Sequence, residues 1–260
     1  MGEVSRYPHG TFCWIDLGTT DVATAKVFYR GLFGWDTEDV PTGDGGVYTL
    51  CRLHGKDVAG VHEHTPDEGV GWSSNISVDD VDATTAEARD LGAAVLAEPL
   101  DIPDTGRTSV LRDPSGAVVS LWQPAGHVGA GLVNEIGTWT WAELVSPDLD
   151  AARAFYTALL GWQAEDVPGP LPRVSFTLGD LLVAGAHAPS PQEGDAAAWT
   201  VSFRVTDADA SAARARQLGG TVLLPPMDIP IGRFTVLADP TGAAFIATAF
   251  AGPVRGVDGS

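Results

Sequence analysis

The chain has 260 residues, and its 34 acidic and 15 basic side chains give a formal net charge of −19. Such an acidic chain repels nucleic acid phosphates and anionic membrane surfaces, so neither is expected as a partner. No apolar stretch approaches the roughly 20 residues of a membrane span, and the first residues lack the basic and then apolar layout of a signal peptide. The two cysteines, Cys13 and Cys51, are expected to be buried thiols, which favours a cytoplasmic location.

The chain begins with a predicted strand and helix. Residues 11–18 predict the strand, and Asp21 follows as a helix N-cap, because its carboxylate can accept hydrogen bonds from the amides of the first turn. The helix has apolar residues at three- and four-residue spacing and ends at Gly34. Three strands are predicted next, at 35–40, 47–53 and 57–63, with turns at 43–46 and 55–56. The order of elements is β-α-β-β-β.

The same order recurs before the middle of the chain. A strand is predicted at 71–78, and either Asp80 or Asp82 caps a helix that ends at Leu91-Gly92. Three further strands are predicted at 94–97, 107–111 and 117–122. The Asp-Pro-Ser-Gly run at 113–116 predicts a hairpin turn, since Pro fixes φ and Gly accepts a positive φ.

The second half of the chain repeats the first. At an offset of 127 residues, Gly137 aligns with Gly10 and Trp141 aligns with Trp14. The Phe-Tyr and Gly-Trp pairs, the Glu-Asp-Val-Pro and Asp-Ile-Pro runs and the Asp-Pro-x-Gly turn all recur. Such a repeat predicts two similar halves. The expected division is a first domain at 8–124, a Gly-rich linker at 125–136 and a second domain at 137–251.

Four such modules predict an α+β fold whose paired sheets curve into two cups. Residues two apart on a strand point the same way, so Trp14 should enter the first cup with Asp16, and Trp141 the second with Glu143. An indole beside a carboxylate suits an aromatic ligand, because the ring stacks and the carboxylate accepts a hydrogen bond or attracts an amine. The alternative is that these tryptophans are core residues. Other candidate ligand-binding residues, with sheet packing as the alternative, are Ser73, Asn75, Ser120, Trp122, Thr200 and Ser202.

The paired modules, the Phe-Tyr helix followed by Leu-Phe-Gly-Trp or Leu-Leu-Gly-Trp, and the closing Asp-Pro-x-Gly hairpins resemble the vicinal oxygen chelate superfamily of glyoxalases, bleomycin-resistance proteins and extradiol dioxygenases. The resemblance covers nearly the whole chain and implies tandem glyoxalase-like domains. It is strongest to tandem glyoxalase-like proteins of actinomycetes, some described as hydroxylases and some as accessory proteins in aromatic polyketide antibiotic pathways. The superfamily spans isomerases, transferases, oxygenases and drug-binding proteins, so the fold alone does not determine the activity.

The resemblance also implies four places per cup for metal ligands, and the sequence departs from them. The first-strand place holds Trp14 or Trp141, and an indole cannot ligate a divalent ion. Two further places hold Ser73 or Thr200, and Ser120 or Ile246, which are poor ligands for Zn²⁺, Fe²⁺ or Ni²⁺. The fourth place keeps imidazoles, at His62, His64 and His187. These three are the alternative metal ligands, but the expectation is that the protein has no metal and no other cofactor.

Three functions follow, in order of preference. The first is a metal-independent protein that binds a hydrophobic, aromatic, polyketide-like molecule, with an accessory role in secondary metabolism and a possible oxygenase as partner. The second is a hydroxylase- or isomerase-like enzyme in which Asp16, Glu143 or His62 acts as acid or base, with the pKa of the carboxylate raised by a neighbouring Trp. The third is a metal-dependent glyoxalase or dioxygenase.

Two further expectations concern the repeat. Arg107 and Arg233 each follow a Gly after Asp-Ile-Pro, which predicts an ion pair with a neighbouring Asp more strongly than an anion site. The halves should pack together, as a monomer that resembles a dimer or as part of a homodimer. The more polar first cup is expected to be the principal site.

Overall fold

The computed structural model describes residues 2–42, 45–65, 69–191 and 194–252, so the turn predicted at 43–46 lies partly outside the described residues. The elements of the first half are β1 (Phe12–Thr19), α1 (Val22–Phe33), β2 (Asp36–Pro41), β3 (Val47–Leu53), β4 (Lys56–Glu63), β5 (Gly71–Ser77), α2 (Val81–Asp90), β6 (Ala94–Ile102), β7 (Gly106–Arg112) and β8 (Val118–Pro124). Those of the second half are β9 (Trp139–Val145), α3 (Leu149–Leu160), β10 (Gln163–Asp166), β11 (Arg173–Leu178), β12 (Leu181–His187), β13 (Ala198–Arg204), α4 (Ala208–Gln217), β14 (Thr221–Ile229), β15 (Gly232–Ala238) and β16 (Ala244–Phe250).

The predicted helix caps are confirmed. Asp21 accepts a hydrogen bond from the Thr24 amide at 2.9 Å, and α1 ends at Gly34, whose φ of 78° is in the left-handed region. In the second module Asp80 is the N-cap, since it accepts from the Ala83 amide at 2.9 Å. These local signals determine where each helix begins and ends, and thus where the strand before it stops.

Each half forms one open sheet of eight strands. The strand order is β2-β3-β4-β1-β5-β8-β7-β6 in the first half, and the second half has the same order from β10 to β14. The predicted α+β fold of paired β-α-β-β-β modules is therefore confirmed. Because β1 and β5 lie at the middle of the first sheet, and β9 and β13 at the middle of the second, their inward-facing side chains line the centre of each cup.

Strand β6 is longer than the sequence predicts. It runs over Ala94–Ile102 and includes Pro99, with irregular pairing to β7 between Val95 and Leu100. Proline cannot donate to a ladder but is tolerated at a sheet edge. As β6 is the edge strand of the sheet, the proline does not end it.

The repeated Gly-Trp pairs connect the two halves reciprocally. The indole of Trp35 donates to the Gly137 carbonyl at 2.7 Å, and that of Trp162 donates to the Gly10 carbonyl at 2.7 Å. Both tryptophans are at most 2% exposed. The predicted contact between halves is thus made by residues that recur in the repeat.

The repeated Phe-Tyr and Asp-Pro motifs meet at the same interface. The Tyr156 hydroxyl accepts a hydrogen bond from Trp199 at 2.8 Å and donates one to Asp113 of the other half at 2.7 Å. Burial raises the pKa of Tyr156 well above 10, and the charge of Asp113 raises it further. The phenol therefore remains protonated and can donate. Its counterpart Tyr29 accepts from Trp72 at 3.0 Å.

The segment 125–136 packs against the first half. Its Ala130 amide donates to the Cys13 carbonyl at 2.8 Å, and the Ala130 carbonyl accepts from the Tyr7 hydroxyl at 2.7 Å. Cys13 and Cys51 are both buried free thiols, as expected. Across the described ranges, no helix is both long enough and apolar enough to cross a membrane.

Candidate functional site

The first cup is built around the carboxylate of Asp16. The indole N–H of Trp14 lies 3.0 Å from Asp16 Oδ1 and 2.8 Å from the Tyr48 hydroxyl, which itself donates to Asp16. The side-chain amide of Asn75 donates to Asp16 Oδ2 at 2.7 Å. Trp14 and Asp16 therefore share one face of β1, as their spacing predicts, but the indole N–H is engaged by the carboxylate.

The environment keeps Tyr48 as a hydrogen-bond donor. Burial raises the pKa of Tyr48 well above 10, and the nearby charge of Asp16 raises it further. Gly60 lies opposite Asp16 in the parallel pairing of β1 and β4. A methyl group there would overlap the Tyr48 hydroxyl and the Asp16 carboxylate, so this glycine provides the space in which the cluster forms.

The second cup is built in the same way around Glu143, which is 6% exposed. Trp141 donates to Glu143 Oε2 at 2.6 Å. Arg173 donates to Glu143 Oε1 at 2.8 Å, and His187 Nδ1 lies 3.0 Å from the same oxygen. Gly185 lies opposite Glu143, and a methyl group there would overlap the carboxylate.

Glu143 is held as an ionised carboxylate. Its burial acts to raise its pKa, but the hydrogen bonds from His187 and Trp141 and the charge of Arg173 outweigh that effect and lower the pKa below 4.5. The sequence-based expectation of a raised pKa is therefore wrong for Glu143. The neighbouring Trp141 desolvates the carboxylate, but its indole N–H also donates a hydrogen bond that stabilises the ionised form. Because its pKa is lowered, Glu143 is a weak base near neutral pH.

Equivalent strand positions hold different groups in the two cups. His62 pairs with Gly18 and Tyr48, and His187 pairs with Val145 and Arg173. His62 and His187 thus correspond, as the sequence predicts. Tyr48 and Arg173 also correspond, at an offset of 125 residues instead of 127.

Neither Tyr48 nor Arg173 was identified from the sequence. The loop after β2 differs in length between the halves, so a direct alignment does not bring the two residues together. Alternation along β3 and β11, combined with the pairing to His62 and His187, is the signal that identifies them.

His62 and His64 form a pair at the edge of the first cup. Their Nε2 atoms are 3.0 Å apart, and His64 Nδ1 lies 3.1 Å from the Gly69 carbonyl. Because a carbonyl only accepts, His64 donates to it from Nδ1. A methyl group on Gly18 would overlap the His64 ring, so His64 fills the space that Val145 fills in the second half.

The described side chains of the two cups do not fit a divalent metal ion. Within the described part of the chain, no group of three or more His, Cys, Asp or Glu side chains is arranged to hold one. Asp16 is bound by Trp14, Tyr48 and Asn75, instead of completing a ligand set with His62. Ligand sets for Zn²⁺, Fe²⁺ or Ni²⁺ in proteins combine several imidazoles, thiolates or carboxylates.

The remaining polar candidates lie on the strands that adjoin the two carboxylate clusters. Ser73 Oγ lies 3.4 Å from the Asp16 carbonyl, and Thr200 Oγ1 donates to the Glu143 carbonyl at 3.0 Å. Ser202 hydrogen-bonds Thr248 at 2.9 Å, and Ser120 lies beside Asn75 in the pairing of β5 with β8. Ser73, Thr200 and Ser202 thus hydrogen-bond to neighbouring strands, as the alternative of sheet packing predicts.

Segment 125–136 contributes His127 to the first cup. Its ring meets Trp14 edge to face at 4.6 Å, and its carbonyl accepts from Trp122 at 2.9 Å. Burial lowers the pKa of His127, against the opposing charges of Asp57 and Asp16. Trp14 is only 5% exposed, so it lies at the floor of the cup instead of offering an open ring face, whereas Trp141 is partly exposed.

The predicted ion pairs of the repeated arginines are confirmed outside the cups. Arg107 contacts Asp82 at 2.6 Å and Asp101 at 2.7 Å. Arg233 contacts Asp209 at 2.6 Å and a second carboxylate, Asp228, at 2.8 Å. These arginines connect the hairpin at the sheet edge to the helix beneath it.

Two open sheets of paired β-α-β-β-β modules, each with one carboxylate cluster at its centre, define a tandem cup-forming protein. The chain belongs to the Glyoxalase/Bleomycin resistance protein/Dioxygenase superfamily, whose family model matches residues 11–121 and 138–246.

Relatives span nearly the whole chain. "Putative glyoxylase CFP32" of Mycobacterium tuberculosis is 45% identical over 254 residues, covering 94% of this chain and 97% of the relative. "Anthracycline biosynthesis protein DnrV" of Streptomyces peucetius is 36% identical over 262 residues, covering 93% and 94%. The Mn(II)-bound glyoxalase from Novosphingobium aromaticivorans has a similar fold, with a TM-score of 0.66 at 19% identity over 98% of this chain and 86% of that one.

Proposed function

We propose that this protein binds a hydrophobic, aromatic small molecule in a sheet-lined cup without a resident metal ion, as a cytoplasmic binding or accessory protein of secondary metabolism. The observation that carries the proposal is the pairing of an indole with a carboxylate at the centre of each sheet. In the second cup Trp141 is partly exposed beside Glu143, so its ring is accessible for stacking. Aromatic stacking with a nearby polar group is a common way to bind flat ligands.

The relatives support this class of ligand. Two of them, from Streptomyces, are named anthracycline biosynthesis proteins, at 36% identity. Anthracyclines contain fused aromatic rings, which match an indole in shape and polarity. The carboxylates are already bound by protein donors, which favours an orienting role for them over proton transfer.

We also propose that the domains are 8–124 and 137–251 and that a monomer contains both cups. The reciprocal Trp35 and Trp162 contacts support this arrangement. A monomeric mass in analytical ultracentrifugation is the expected result.

The test is calorimetric titration of the protein, purified without chelator, with neutral anthraquinone-2-carboxamide. Saturable binding is expected, with less than 0.1 metal ion per chain by elemental analysis, on the order of contamination. Trp141→Phe should weaken binding about threefold to tenfold, the range of one aromatic contact. Leu223→Ala, at an exposed position of β14, is the control and should bind as wild type.

Three results contradict the proposal. If the probe does not bind, the proposal that the ligand is aromatic is wrong. If the purified protein contains a stoichiometric metal ion, the proposal that it binds without a resident metal ion is wrong. Conversion of the probe, detected by mass spectrometry, would instead favour an enzyme that uses Asp16, Glu143 or His62.

A further inference from the structure

The two cups differ in charge at one structurally equivalent position. Tyr48 on β3 and Arg173 on β11 both lie beside the corresponding histidines, and both contact the central carboxylate of their cup. In the first cup, the carboxylate of Asp16 is bound by the neutral donors Trp14, Tyr48 and Asn75. In the second, one donor is a guanidinium.

Arg173 is placed to reach a ligand. Its side chain is 48% exposed, whereas that of its partner Glu143 is 8% exposed. A guanidinium has five N–H donors in a rigid fork, and the contact with Glu143 Oε1 uses one nitrogen, at 2.8 Å. The exposed part of the fork remains available to an incoming acceptor.

Glu143 does not depend on Arg173 alone. Trp141 binds Oε2 at 2.6 Å, and His187 lies 3.0 Å from Oε1. Because Trp141 and His187 also stabilise the Glu143 carboxylate, Arg173 can form a second ion pair with a ligand while Glu143 keeps its other contacts. In a chain of net charge −19, a local cation beside a partly exposed indole is also what an anionic ligand requires to overcome the general repulsion.

We infer that Arg173 determines specificity in the second cup, and that this cup takes an aromatic ligand carrying a carboxylate. The aromatic part lies against Trp141, and the carboxylate meets the outer edge of the Arg173 fork, a geometry that suits bidentate pairing. Tyr48 makes the first cup unsuited to the same ligand. This inference rests on the proposed function, because it requires that the second cup binds an aromatic molecule.

The test compares two probes that differ only in charge, anthraquinone-2-carboxylate and anthraquinone-2-carboxamide, by calorimetric titration. Wild type should prefer the carboxylate at least tenfold at low salt, on the order expected of one charge-assisted contact. Arg173→Gln should remove this preference and leave the affinity for the carboxamide within about twofold. Arg173→Lys should retain part of the preference, because it keeps the charge and loses the fork.

Arg153→Gln is the matched control. Arg153 lies on α3 and pairs with Asp166 of β10, which is exposed. This variant therefore changes the net charge equally and replaces a residue that makes no contact with the Glu143 cluster described above. It should keep the full preference for the carboxylate. A loss of preference in Arg153→Gln as large as in Arg173→Gln would show a general charge effect and overturn the inference.

The remaining outcomes separate the inference from the function on which it rests. If wild type binds neither probe, the proposed function fails and the inference with it. If wild type binds both equally, or Arg173→Gln keeps the preference, the inference alone fails. Should Arg173→Gln not fold, the wild-type preference must still fall as salt rises from about 20 to 500 mM, since charge pairing at an exposed site is screened; a constant preference would overturn the inference.

Discussion

Replacement of Gly185 by alanine tests how tightly the second carboxylate cluster is built. A methyl group there would lie 3.0 Å from the Glu143 carboxyl carbon and closer still to Oε2. The carboxylate must therefore move, although Trp141, Arg173 and His187 hold it at 2.6 to 3.0 Å. Gly71 on β5 is the matched control, because a methyl group there meets nothing within 4 Å.

The expected magnitude follows from three contributions. Overpacking costs about 1–3 kcal/mol, and weakening one charge-assisted hydrogen bond costs about 1.5–3 kcal/mol. Replacing Gly by Ala also reduces the conformational entropy of the unfolded chain, which stabilises the folded state by about 0.4–1 kcal/mol. Gly185→Ala should thus lower the free energy of unfolding by about 1.5–5.6 kcal/mol, while Gly71→Ala should leave it unchanged or raise it by about 0.4–1 kcal/mol.

Urea unfolding followed by tryptophan fluorescence measures this difference. The midpoint for Gly185→Ala should fall clearly below that of wild type, with an unchanged slope. Gly60→Ala, the equivalent change in the first cup, should behave in the same way. Equal midpoints for Gly185→Ala and Gly71→Ala would refute the close packing of the carboxylate against β12.

Three further predictions concern the interface, pH and metal. Tyr156→Phe should destabilise the protein by roughly 2–4 kcal/mol in urea unfolding, because Asp113 Oδ2 and the Trp199 indole N–H each lose their buried hydrogen bond to the Tyr156 hydroxyl; a change below about 0.5 kcal/mol would contradict the buried bridge. Since Glu143 has a lowered pKa in the folded state, its contribution is present above pH 4.5 and is lost as pH falls through the folded pKa; the stability difference between wild type and Glu143→Gln should therefore shrink below pH 4.5, and a difference that grows there would oppose this assignment. Prolonged dialysis against a chelator should leave the thermal midpoint within about 1 °C, and a larger fall would indicate a bound metal ion.

Local signals in the sequence predict the helices and strands and the side of the strand to which the cup residues point. Asp21 and Asp80 identify two helix starts because capping depends on a few neighbouring residues. The shared direction of Trp14 and Asp16, and of Trp141 and Glu143, follows from strand alternation alone. These features require no knowledge of which strands are neighbours.

Features that depend on strand pairing could not be derived in this way. The contacts of Tyr48 with Asp16 and of Arg173 with Glu143 join separate strands, and a change of loop length hides their equivalence. The bridge from Tyr156 to Asp113 crosses between the halves. Glu143 illustrates the consequence, because burial alone predicts a raised pKa, whereas the donors brought by other strands lower it.

A crystal structure of the protein soaked with anthraquinone-2-carboxamide tests the central claim most directly. The proposed function predicts ring density on the inner face of the second sheet, against Trp141 and next to the Glu143 cluster. Density confined to the interface between the halves, or to the outer surface, would contradict a ligand-binding cup.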